Sequence, residues 1–90
     1  MMYAIIEIEH DTYDDVKAVY TEDLVQAVHY LKDKYNSYDL EGLEINENVM
    51  DLEDDEVEFE FEFSNNQFYI ELKSDEWWLE FYIVIPKILK

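Results

Sequence analysis

From Asp54 to Phe63 the chain reads Asp-Asp-Glu-Val-Glu-Phe-Glu-Phe-Glu-Phe, with acidic and apolar residues taking strict turns after Asp55. Successive side chains of a strand point to opposite faces. This period of two therefore predicts a strand with Val57, Phe59, Phe61 and Phe63 against the core and Glu56, Glu58, Glu60 and Glu62 in solvent. On an extended backbone those carboxylates would repeat every ~6.6 Å, as the teeth of an acidic comb. Asn65 and Asn66, which tolerate positive φ, would then turn the chain into an antiparallel partner strand from Gln67 to Lys73.

Alternating and helical patterns continue on both sides of this stretch. Tyr3 to Glu9 predicts a strand, and the polar run His10 to Asp15 would join it to a second short strand, Val16 to Tyr20, as a hairpin. Leu24, Ala27, Val28, Leu31 and Tyr35 recur at helical spacing, so a helix is expected from about Glu22 to Tyr35, capped by Thr21 and closed by Asn36-Ser37. Gly42 marks a bend, and Leu43, Ile45 and Val49 suggest a short third strand. After a turn at Ser74-Asp75-Glu76, Trp77 to Ile85 forms the last strand, and Pro86 ends it because proline has no donor for the ladder. The expected fold is α+β: an antiparallel β-sheet of five or six strands, with a C-terminal meander and one α-helix packed on one face. Residues 1–90 would form a single acidic domain.

The last strand is apolar on both sides. Trp77, Leu79, Phe81, Ile83 and Ile85 share one face, while Trp78, Glu80, Tyr82 and Val84 share the other. Either the strand is central and covered on both sides, or Trp78, Tyr82 and Val84 form an exposed patch for a homodimer or another partner.

Composition sharpens this picture. With 49% hydrophobic and 17% aromatic residues the chain can bury a core, so a net charge of −18 implies an acidic folded body and not disorder. The charge is uneven: residues 1–34 carry eight acids and three lysines, residues 35–72 thirteen acids and no lysine, and residues 73–90 three of each. There is no arginine, a bias that with the abundant Asn, Ile and Tyr suggests an AT-rich genome such as that of a low-GC bacterium or its phage. The absence of cysteine excludes a disulfide framework and a thiolate zinc site. Met1 to Glu9 has no basic start and acquires an acid at Glu7, which predicts neither a signal peptide nor a membrane span, and a cytoplasmic location.

Little in the chain points to catalysis. One glycine cannot build a phosphate-binding loop, no Ser-His arrangement is present, and no carboxylate sits in an apolar setting that would single it out as an acid. A non-enzyme without a cofactor is expected. Asp51, Glu53, Asp54, Asp55 and Glu56 crowd one loop, yet this stretch lacks the glycine of a calcium-binding EF-hand, and two histidines, His10 and His29, are too few for structural zinc. No metal is expected there.

The acids instead suggest a binding surface. A solubility device would interleave lysine, and nothing basic occurs between Lys34 and Lys73. Direct binding to nucleic acid is disfavoured by repulsion from phosphates. In size, charge and its run of carboxylates the chain resembles the small acidic nucleic-acid mimics of phages and mobile elements, of the anti-restriction or anti-CRISPR type. The resemblance implies a competitive inhibitor that occupies the basic DNA- or RNA-binding groove of a host protein, with Asp51, Glu53, Asp54, Asp55, Glu56, Glu58, Glu60 and Glu62 standing in for phosphates. The alternative is a non-catalytic interaction or dimerisation module that works through Trp78, Tyr82 and Val84, its acidity serving solubility.

Overall fold

The computed structural model describes residues 1–10 and 14–86. Part of the expected hairpin connection, residues 11–13, lies outside them. In chain order the elements are β1 (Tyr3–His10), β2 (Asp14–Thr21), α1 (Leu24–Asn36), β3 (Glu44–Glu47), α2 (Val57–Phe63) behind a 3-10 turn at Asp54–Glu56, β4 (Phe68–Lys73) and β5 (Trp78–Val84). The strands form one antiparallel sheet in the order β2-β1-β5-β4-β3. The fold is α+β, as expected, but it carries two helices where one was predicted.

Alternation sorts the side chains. Registers Ile5↔Ile83, Phe68↔Ile83, Ile70↔Phe81 and Leu72↔Leu79 put these residues on one face, and all of them are buried. Leu24, Ala27, Val28 and Leu31 of α1 and Val57 and Phe61 of α2 close that layer. The helix begins later than predicted, because Asp23, not Thr21, is its cap: the Asp23 carboxylate accepts from the amides of Val25 at 3.0 Å and Gln26 at 3.3 Å. Thr21 ends β2, and its hydroxyl accepts from the Asp23 amide. The two acids expected in the first turn are thus the cap and the residue before it.

The largest departure is the acidic stretch, which is helical. At 100° per residue, Val57 and Phe61 fall on one side of a helix and Phe59 and Phe63 on the opposite side, so a period-two sequence also makes a two-sided helix. Burial follows the helical rule: Val57 is 0% and Phe61 3% exposed, against 69% for Phe59 and 77% for Phe63. Three causes act together. Glu53 and Glu56 form a reciprocal capping box, with the Glu53 amide donating to Glu56 Oε1 at 2.9 Å, and Glu is a good helix former whose charge suits a helix N-terminus. The helix also splits the glutamates into two flanks, whereas a strand would align them all on one face. Finally, β4 already pairs with β3 and β5, so the predicted partner strand has no edge to join.

Asn65 and Asn66 both adopt φ 62°, as expected for a turn. They end a helix, however, and do not join two strands: the amide of Asn66 donates to Phe61 O at 2.7 Å and that of Asn65 to Glu62 O at 3.1 Å, satisfying the last carbonyls of α2. The β4–β5 hairpin at Ser74-Asp75-Glu76 and the stop before Pro86 occur where they were predicted. β5 is central, but both helices lie on one side of the sheet. The side that carries Trp78, Tyr82 and Val84 has no covering layer among the described residues, contrary to the reading of a strand covered on both sides.

Candidate functional site

Helix α2 presents four rows of side chains. Val57 and Phe61 anchor it, Phe61 meeting Tyr3 edge-on at 5.8 Å and Phe68 at 5.0 Å between ring centroids. On the solvent side Phe59 and Phe63 stack at 6.4 Å with their planes 18° apart. Glu56 and Glu60 form one flank and Glu58 and Glu62 the other, so the predicted comb does not exist. Its four carboxylates form two pairs on either side of an aromatic ridge. Glu58 and Glu62 also border a pocket of ≈ 570 Å³ whose lining includes Tyr3, Leu24, Phe61 and Ile85. An apolar floor with carboxylates beside it suits a ligand that has an aliphatic stem and a cationic head.

The preceding acidic loop is tied to α1. Lys32 Nζ donates to the carbonyl of Leu52, and His29 Nε2 lies 2.7 Å from Asp54 Oδ1. These contacts give two of the predicted phosphate mimics other work, since Asp54 pairs with His29 and Glu56 closes the capping box. Glu53 is the N-cap of the turn, while Asp51, Asp55, Glu58 and Glu62 are exposed and Glu60 is half-buried. Of the full set Asp51, Glu53, Asp54, Asp55, Glu56, Glu58, Glu60 and Glu62, all but Glu60 are exposed, and Glu53, Asp54 and Glu56 are held in place by these local contacts. Among the described residues, no three His, Asp or Glu side chains come together in a geometry that could hold a metal.

The second predicted patch lies on the open sheet face. Trp78, Tyr82 and Val84 are half-buried there, beside Ile6 (opposite Tyr82), Ala4 (opposite Val84) and the exposed Val16 and Tyr20 of β2. In its midst is a polar cluster whose partners the sequence did not disclose. Glu80, only 9% exposed, accepts from the Tyr82 hydroxyl and pairs with His10 Nε2 at 2.8 Å, while His10 Nδ1 lies 3.1 Å from Asp14. His10 stacks on Trp78 at 4.5 Å, and Lys73 Nζ lies 5.2 Å from the Trp78 ring centroid. The hydrogen bond to Glu80 raises the His10 pKa above 6.5, with partial burial opposing it and Asp14 adding to it. Burial first, and then the bond to Glu80, push the Tyr82 hydroxyl up to about 12. Alternation already placed Trp78, Glu80 and Tyr82 on one face, but nothing local in the sequence linked them to His10 at the far end of β1.

Comparison of the chain with protein-family models, with curated proteins and with solved structures found no match in any of the three. No helix among the described residues is long and apolar enough to cross a membrane.

Proposed function

We propose that the protein is a non-catalytic binding protein that acts in a bacterial cytoplasm and occupies the basic, nucleic-acid-binding surface of another protein, such as a host-defence effector. One observation carries this reading: the exposed Phe59–Phe63 stack is flanked on both sides by glutamates, within a run of thirteen acids and no lysine across residues 35–72. Exposed aromatic pairs are unusual unless a partner covers them, and interface anchors are most often aromatic residues ringed by polar ones. The glutamates select a cationic partner and speed its approach, and the phenylalanines supply the apolar contact. Competition for phosphate-binding cations follows from the charge, without any match to phosphate spacing.

The test is affinity capture from a low-GC bacterial lysate with stepwise salt elution. The partner should leave as salt rises, bind nucleic acid by itself, and be displaced by added duplex. The quadruple variant Glu58→Gln, Phe59→Ala, Glu62→Gln, Phe63→Ala should fail to retain it. A partner with no affinity for nucleic acid, or equal capture by the variant, would overturn the proposal.

A second reading is favoured by the sheet face with Trp78, Tyr82 and Val84, which no helix or strand among the described residues covers: an interaction or dimerisation module whose contacts are apolar. Salt separates the two, since screening weakens charge-driven binding and leaves apolar association intact or stronger.

A further inference from the structure

Away from α2, Tyr38 and Trp77 line a pocket of ≈ 350 Å³ together with Glu9, Glu76 and the buried Leu79. Each wall is fixed by its own element. Glu9 stands opposite Leu79 in the β1–β5 register. Ser74 builds the β4–β5 turn, its amide donating to Trp77 O at 2.9 Å and its hydroxyl accepting from the amides of Glu76 and Trp77 at 3.2 Å. Tyr38 follows the end of α1, its amide donating to Tyr35 O at 3.3 Å. The ring centroids of Tyr38 and Trp77 are 6.4 Å apart, their planes tilted by 35°.

We propose that this pocket recognises an alkylammonium group, the head of a lysine side chain on a basic polypeptide. An aromatic face attracts a cation within ~6 Å of its centroid, and the buried Leu79 adds an apolar wall against which the alkyl stem can lie. The Glu9 and Glu76 carboxylates have no side-chain partner among the described residues and accept the N–H bonds that a primary ammonium offers. Aromatic walls provide no ligand for a metal ion, whereas an ammonium uses ring faces and carboxylates together. The field here is negative. Burial first, and then Glu7 and Glu9, push the Tyr38 hydroxyl above 10.0. On the neighbouring strand Asp15 stands opposite Glu9, and Lys17, opposite Glu7, is 4.0 Å from Asp15.

The inference rests on the reading that the partner is basic, but its test needs no partner. The ¹⁵N-labelled protein is titrated with Nα-acetyl-lysine methylamide while the Trp77 indole resonance is followed. A saturable shift is expected at millimolar ligand. It should vanish with the Nε-acetylated ligand, and weaken about tenfold in Tyr38→Leu and again in Glu9→Gln/Glu76→Gln. Tetramethylammonium, which has no N–H, should bind more weakly. If it binds as well as the lysine amide, the site serves free quaternary ammonium compounds and the lysine assignment is wrong. A shift that survives acetylation, or no saturable shift in a folded protein, overturns the proposal. Phe59→Ala/Phe63→Ala should titrate like the parent chain, so failure of this pocket and failure of the α2 surface are told apart.

Discussion

His10 Nε2 lies 2.8 Å from the Glu80 carboxylate, joining the last residue of β1 to the middle of β5 on the open sheet face. Asp14 stands directly opposite His10, so the imidazole lies between two carboxylates, while Glu71 stands opposite Glu80 and Lys73 Nζ lies over the Trp78 ring. Because folding raises the His10 pKa, the folded state holds its proton more tightly than the unfolded chain does. That stabilisation is complete below 6.5 and is lost as pH rises through the folded pKa. Melting curves across this window should show a fall in Tm with rising pH that is flatter in His10→Gln. NMR titration of the imidazole should give a midpoint above 6.5. Equal slopes in both proteins would show that the pair does not couple to folding.

The rows of α2 give a direct contrast. Phe61→Ala removes a side chain packed between Tyr3 and Phe68, and should cost about 3–5 kcal/mol. Phe59→Ala removes an exposed ring and should change stability by no more than about 0.5 kcal/mol. Denaturant unfolding of the two variants checks this. Equal losses would indicate a strand with all its phenylalanines on the core side.

A net charge of −18, most of it in residues 35–72, makes the native state repel itself. Raising sodium chloride from a few millimolar to about 0.15 M shortens the screening length to about 8 Å, and Tm should rise. A Tm independent of salt would mean that the acids are individually compensated.

On the open sheet face, Trp78→Ser/Tyr82→Ser should lower the sedimenting mass if the face holds two copies together, and leave it unchanged if the protein is monomeric. Retained partner capture in that variant would assign binding to α2 alone.

Gly42 has φ 78° with nothing within 4 Å of where a Cβ would stand. Gly42→Ala should therefore cost about 1 kcal/mol from backbone conformation alone, measurable by chemical denaturation. A neutral substitution would mean that the bend relaxes.

Much of the sheet was legible because its signals were local. The β1–β2 and β4–β5 hairpins follow from apolar alternation broken by polar turns, and the inward row Leu79, Phe81 and Ile83 follows from a period of two. The acidic stretch misled for a geometric reason: residues spaced by two are also spaced by four, so Val57/Phe61 and Phe59/Phe63 satisfy a strand and a two-sided helix alike. The deciding cues lay outside the repeat, in the spacing of Glu53 and Glu56 and in a second asparagine able to close a helix. His10 with Glu80, and Glu9 with Tyr38 and Trp77, come together only through long-range pairing, which no local pattern encodes.

The pairing of Ala4 with Val84 sets the order in which the molecule can assemble. Each hairpin closes a short loop and can form early, whereas β5 can reach β1 only by closing a loop that spans almost the whole described chain. Until it does, both edges of that seam are bare, the sheet exists as two separate halves, and the His10–Glu80 bond is absent. A refolding experiment should accordingly find β4–β5 amides protected from hydrogen exchange before those that bridge β1 and β5, with the slow step sensitive to substitutions at Ile5 and Ile83.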